Sequence, residues 1–295
     1  MNEPRRVEHQ QTDKGYVPVY TTAVVEQPWA DYKAEDHATW GTLYQRQREL
    51  LVGRASDEFL QAQDEMGMSP HAIPRFDQLN EVLGAATGWT LIGVEGLLPE
   101  LDFFDHLANR RFPVTWWIRR PDQIDYIAEP DLFHDLFGHV PLLMNPLFAD
   151  YMQAYGRGGV KAHGVGPEAL VNLTRLYWYT VEFGLINTSQ GLRIYGAGIV
   201  SSKGESLYSL ESPAPNRLGF DLQRIMRTRY RIDTFQKTYF VIDSYAQLIE
   251  ATGPDFTPLY ALLAEQDAVP AGQVLESDHV LTRGTGEGWS NDGDV

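Results

Sequence analysis

EPDLFHDLFGHVPLL, residues 129–143, sets two histidines, His134 and His139, five positions apart in apolar surroundings. An α-helix turns by about 100° per residue, so positions i and i+5 point about 140° apart. Two imidazoles on one regular helix therefore do not meet on one ion. The zincin motif, H-E-x-x-H, uses a spacing of four with a glutamate beside the first histidine, and this segment has neither. Gly138 stands just before His139 and Pro141 two residues after it, a helix-stop pattern. The expectation is that His134 lies on a helix and His139 just past its end. The chain would then turn and bring the second ring round to the first.

A third ligand is expected in LYWYTVEFGL, residues 176–185. Glu182 sits there between Val181 and Phe183, in a segment whose apolar residues follow a three-four spacing. A buried carboxylate is costly without a cation or a proton. Two histidines and one carboxylate leave coordination positions open, which suits non-haem Fe(II) that activates oxygen. Two other readings of the same residues stay open. Glu182 could pair with Arg175, or the three groups could hold zinc and a water. The remaining histidines, His9, His37, His71, His106, His163 and His279, read as surface or internally satisfied groups. With no cysteine in the chain, thiolate metal sites and iron–sulfur clusters are excluded.

Hydrophobic residues make up 43% of the 295 residues and charged residues 22%, enough apolar material for one sizeable core. The 24 basic and 40 acidic side chains leave a net charge of −16, which disfavours nucleic acid and anionic membrane surfaces as partners. The amino-terminal residues have no apolar stretch behind their arginines, and no apolar run reaches membrane-spanning length. A cytoplasmic protein is expected.

The fold class expected is mainly α with small β-sheet elements, in one domain. Residues 1–15 read as disordered, 16–282 as the catalytic domain, and the Gly-rich 283–295 as a loose tail. Helices are expected over 35–55, 55–68, from near Ile73 with Pro74 in the first turn, and over 167–186. Strands are expected in RFPVTWWIR (111–119) and TYFVID (238–243), with RIYGAGIVSS (193–202) as a further pairing segment.

EPDLFHDLFGHVPLL, LYWYTVEFGL and IYGAGIVSSKGES (194–206) together resemble the pterin-dependent aromatic amino acid hydroxylases, from about Val17 to about Asp255. The resemblance implies iron held by His134, His139 and Glu182. It implies a substrate carboxylate on Arg119 in TWWIRRP, with Ser201 and Glu205 as supporting polar residues. Trp178 and Phe183 would form the aromatic pocket, with Pro130 beside it. A tetrahydropterin, tetrahydrobiopterin or a relative, would meet the backbone of Gly96 and Leu98. It would stack on Phe103, with Tyr177 and Asp135 on its other side. The chain departs from many relatives at Asp135, Glu100 and Ile127. The implied reaction is hydroxylation of L-phenylalanine to L-tyrosine with Fe(II), reduced pterin and O2. Ile232 and Trp178 favour phenylalanine over tyrosine and tryptophan, the alternatives within the family. A zinc hydrolase and a non-catalytic binding protein are the alternatives outside it. The carboxy-terminal residues lack a heptad pattern, so a monomer is expected.

Overall fold

The computed structural model describes residues 11–12, 15–16, 20–127 and 129–289. The first ten residues and the last six, with the expectations attached to them and to His9, lie outside the described residues. Gln11–Thr12 and Gly15–Tyr16 pair as a two-residue antiparallel ladder within the stretch expected to be disordered.

Helices dominate, as expected. The first runs over Ala34–Leu51. The second, Asp57–Glu65, is capped by Ser56, whose side chain accepts from the Phe59 N–H. The third runs over Phe76–Ala86 and starts later than expected. The reason is that side chains take the preceding backbone groups. His37 Nδ1 accepts the Ile73 N–H at 3.1 Å, and Trp29 Nε1 donates to the Ile73 carbonyl at 2.9 Å. Gln27 binds the Pro74 carbonyl at 3.0 Å and the Phe76 N–H at 2.8 Å. With those groups held in an extended path, Pro74 stays outside the helix.

Two small sheets complete the fold. Val24–Val25, Thr90–Val94 and Arg111–Thr115 form one of three strands, with an antiparallel and then a parallel pairing. The other has five strands in the order Val280–Thr282, Asn216–Gly219, Thr238–Ile242, Leu185–Thr188, Gly191–Ile194. Its three central strands run parallel and its two edge pairings are antiparallel. The segment 193–202 is only partly a strand. Pairing ends at Ile194, and Ala197–Val200 is a helical turn closed by the Val200 N–H on the Gly196 carbonyl at 3.0 Å.

The carboxy-terminal stretch is docked rather than loose as far as Trp289. Gly284 N–H donates to Asn216 Oδ1 at 2.9 Å, and Thr285 N–H to the Pro213 carbonyl at 2.9 Å. The Trp289 ring lies over Gly272 and its Nε1 reaches the Tyr208 hydroxyl at 3.4 Å. An aromatic anchor inside a Gly-rich run offsets the ordering cost that composition alone suggests. No helix among the described residues is long and apolar enough to cross a membrane.

One core runs through the molecule, and the metal-ligand segment lies inside it. Phe133 and Phe137 stack at 4.7 Å, with Trp40, Tyr44 and Phe59 packed against them at 5.6–5.9 Å. The long helix Pro146–Val165 is capped by Asn145, which accepts from the Leu147 and Phe148 N–H groups. It packs against helix Glu100–Ala108, which carries Phe103. A Cβ at Gly159 would fall 2.1 Å from the Phe104 ring, so the two helices approach only because that residue has none. Gly159→Ala is expected to cost about 1–3 kcal/mol through overpacking. A thermal melt unchanged from the parent would contradict this packing.

Candidate metal centre

His134 and His139 converge, but not by the route expected. His134–His139 is one π-helical turn, and a short 3-10 turn over Pro141–Met144 follows it. The Val140 N–H reaches back five residues to the Asp135 carbonyl at 3.3 Å. A turn closed i→i+5 places residue i+5 nearly above residue i, so the spacing of five is right for one face of this turn. His139 is therefore inside the helical segment, not beyond its end. Nor is Gly138 a stop. A Cβ there would stand 3.0 Å from the Ala197 carbonyl, so its place is a close approach to the Ala197–Val200 turn.

Glu182 is delivered by a second turn of the same kind. The helix Pro167–Tyr177 passes into a π-helical turn over Trp178–Glu182, closed by the Phe183 N–H on the Trp178 carbonyl at 2.8 Å. It ends there, and Leu185 already belongs to a strand, so the expected single helix to residue 186 is corrected. Arg175 points elsewhere, with its Nη1 on Asn172 Oδ1 at 3.1 Å.

The three groups form the one cluster of metal-ligating side chains found among the described residues, with ligand atoms within 4.8 Å of one another. His134 Nε2 and His139 Nε2 are 3.0 Å apart. Glu182 Oε1 lies 3.1 Å from His139 Nε2, and Oε2 3.6 Å from His134 Nε2. Ser201 Oγ donates to the Ala197 carbonyl at 2.7 Å, so toward His134 Nδ1, 3.0 Å away, it acts as acceptor. That places the proton of neutral His134 on Nδ1 and its lone pair on Nε2, facing the cluster. Two buried imidazole nitrogens and a carboxylate aimed at one point repel unless a proton or a cation lies among them. The residues thus fit a metal ion held by two imidazole nitrogens and one carboxylate.

The electrostatics agree. Burial holds His134 down at about 4, neutral and ready to ligate. Burial also opposes charge on His139, but the Glu182 carboxylate and Asp135 outweigh it and the net shift is upward. Glu182 shifts down, because the two histidines outweigh its own burial. A metal bound there would compete with the proton that His139 and Glu182 share.

The other residues singled out in the sequence fall in separate groups. Tyr177 lies 6.2 Å from the His139 ring and 5.7 Å from Phe103. Asp135 is buried below, accepts the Thr115 N–H at 2.7 Å, and is pushed up to about 7 by desolvation. Gly96 and Leu98 lie on the loop before the Glu100–Ala108 helix, tied down by the Thr21 N–H on the Leu97 carbonyl at 2.9 Å. Trp178 packs on Phe183 at 4.7 Å and on Tyr230 at 4.3 Å. Glu205 is buried, accepts the Tyr239 hydroxyl, and accepts the Gln236 N–H at 3.2 Å. Pro130 is exposed, and Ile232 is 71% exposed on the surface, not in an enclosed wall. Glu100 opens its helix, and Ile127 is half-buried in the stretch before the metal segment.

Arg119 is buried and its fork is engaged: Nε and Nη2 donate to Asp131 at 2.9 and 2.8 Å. Asp131, fully buried, also accepts the Arg119 and His134 N–H groups. Sequence reasoning missed Asp131, although an acidic residue three before a helical histidine is a capping signal. It also missed Tyr230, Gln236 and Tyr239, which lie far along the chain and have no local signature.

Two histidines and one carboxylate facing one point in a buried, helix-rich domain define a mononuclear non-haem metal site. Comparison with known proteins gives the family. The family described as biopterin-dependent aromatic amino acid hydroxylase matches residues 15–253. The phenylalanine-4-hydroxylase of Ralstonia nicotianae is 65% identical over 271 residues, 92% of this chain and 86% of that protein. The phenylalanine-4-hydroxylase of Chromobacterium violaceum is 63% identical over 269 residues, 91% of this chain and 90% of that protein. A crystal structure of the C. violaceum enzyme with bound oxidised Fe(III) superposes with a TM-score of 0.85 at 64% identity, covering 88% of this chain and 93% of that one. Its cobalt-bound form gives 0.86 at 62% identity, covering 89% and 95%. The chain belongs to the biopterin-dependent aromatic amino acid hydroxylases.

Ser201→Ala removes the group that orients His134, and iron affinity is expected to fall by roughly 10- to 100-fold, as for other partners of metal-bound histidines. Competition against a chelator measures it, and unchanged affinity would contradict the role. Glu205 gives a pH prediction. Burial raises its carboxyl from 4.5 to about 7. The stability it contributes is full below about 4.5 and is lost as pH rises through about 7. The Tm of the parent relative to Glu205→Gln should therefore fall between these values. A constant difference would contradict the assignment.

Proposed function

We propose that this chain is a phenylalanine 4-monooxygenase, converting L-phenylalanine to L-tyrosine with O2, Fe(II) and a tetrahydropterin. The observation that supports it most is the convergence of His134, His139 and Glu182 on one point, with the Tyr177 ring 6.2 Å from that of His139. When bound, iron would activate O2 and the reduced pterin would supply two electrons to it, chemistry that no side chain has. The protein contributes binding, orientation and exclusion of water.

In this reading His134, His139 and Glu182 hold the iron and leave its remaining positions open. Phe103 and Tyr177, with the backbone of Gly96 and Leu98, receive the pterin. Asp135 lies near it as a carboxyl group whose proton burial retains up to about neutral pH. Trp178 and Phe183 flank the phenyl ring, with Pro130 beside them. Arg119 receives the substrate carboxylate through Nη1, which lies outside the fork that Asp131 occupies. Ser201 and Glu205 support that side. Ile232 acts from the rim, where an apolar residue gives an incoming tyrosine hydroxyl no partner. The same donor set could hold zinc, and metal reconstitution separates the two readings.

Anaerobic reconstitution with Fe(II), then product analysis with each aromatic amino acid and tetrahydropterin, tests the reading. Tyrosine from phenylalanine, with oxygen uptake dependent on both substrates, is expected. Turnover with zinc alone, or no product from phenylalanine, would overturn it. Arg119→Ala should raise the KM for phenylalanine by roughly 10- to 100-fold, the scale of a lost charged hydrogen bond, and leave the pterin KM nearly unchanged. Equal changes in both constants would contradict the role of Arg119.

A further inference from the structure

Gln236 is 2% exposed, and each polar group of its side chain is engaged. Its Oε1 accepts from Trp178 Nε1 at 3.0 Å. Its Nε2 donates to the Arg231 carbonyl at 2.8 Å and toward the Thr234 carbonyl at 3.4 Å. Its backbone N–H donates to Glu205 Oε1 at 3.2 Å. Only an amide serves both ends, because the indole N–H needs an acceptor and the two carbonyls need a donor. A flipped amide would set like against like at both, so the side chain has one orientation.

What it joins gives it a role. Trp178 opens the π-helical turn that ends in Glu182, and its ring stacks on Tyr230 and packs at a tilt against Phe183. Arg231 and Thr234 flank Ile232 and Asp233, the outer part of the 230–236 loop. That part has little apolar burial of its own, because Ile232, Asp233 and Thr234 are all exposed. Phe235 anchors the far end by stacking on Tyr208 at 4.7 Å, and Arg231 pairs with Asp233 at 2.8 Å within the loop. Beside the Tyr230 stack, the Gln236 amide ties the loop backbone at Arg231 and Thr234 to the Trp178 indole. Resting on the phenylalanine reading, we propose that Gln236 is a positioning residue that sets how the Ile232 loop closes against Trp178, and thereby how tightly and selectively the substrate ring is held.

The test uses Gln236→Met, which keeps the length and removes both hydrogen-bonding ends. The KM for phenylalanine should rise roughly tenfold, with kcat within about twofold and the pterin KM unchanged, since one buried hydrogen-bonded link is lost without touching the reacting atoms. Phenylalanine binding to the iron-loaded enzyme, followed calorimetrically without oxygen, should weaken by the same factor. The ratio of kcat/KM for tryptophan to that for phenylalanine should rise. In a Trp178→Phe background, Gln236→Met should add little, because the indole donor is already gone. Unchanged phenylalanine affinity, a fall in kcat alone, or full additivity would overturn the proposal. If Gln236→Met does not fold, Gln236→Glu keeps the acceptor for Trp178 and sets oxygen against the two carbonyls. Weakened phenylalanine binding then supports the proposal, and unchanged binding overturns it. A parent enzyme that makes no tyrosine would instead overturn the functional reading, whatever Gln236 does.

Discussion

Three metal-ligating groups meet because two helices each widen by one residue per turn. The i→i+5 closures at Asp135–Val140 and Trp178–Phe183 are the constraint on which the site depends. In an α-helix His139 would rotate away from His134. With the wider turn, His134 and His139 share a face while Phe133, Leu136 and Phe137 stay in the core. Widened turns sacrifice packing along the helix axis, so they persist where something compensates. Here Asp131 caps the first turn, Gly138 lets the Ala197–Val200 turn pack against it, and Ser201 from the end of that turn orients His134. Ligand geometry and core packing are thus one arrangement.

Much of this was readable in the chain itself. The apolar periodicity of the segments around Trp40, Phe59 and Leu173 is a local signal, and each gave a helix in the structure. His134, His139 and Glu182 were singled out because the flanking motifs resemble a family, their spacing alone being weak, and the structure brings the three together. The manner of their convergence was not readable. Gly138 followed by Pro141 has the composition of a helix stop, and only the proximity of Ala197, some sixty residues on, shows that the glycine serves contact instead. The late start of the Phe76–Ala86 helix has the same kind of cause, since its backbone is claimed by Gln27, Trp29 and His37 from outside the segment.

The substrate side depended most on distant partners. Arg119 was singled out only through the family resemblance, and in the structure it is buried with its fork on Asp131. Ile232 was singled out by position within a motif, and the structure leaves it exposed. Its loop is tied to Trp178 by Gln236, a residue with no pattern around it. Burial, which makes Glu205 and Asp135 retain protons, is likewise a property of the assembled fold and not of any short segment.

The central claim, one metal on one face of His134, His139 and Glu182, is tested most directly by the electronic absorption of the Co(II)-substituted protein. One Co(II) per chain with weak d–d bands, lost together with tight binding in Glu182→Ala, is the result this account predicts. Intense tetrahedral bands, or stoichiometric binding that survives Glu182→Ala, would contradict it.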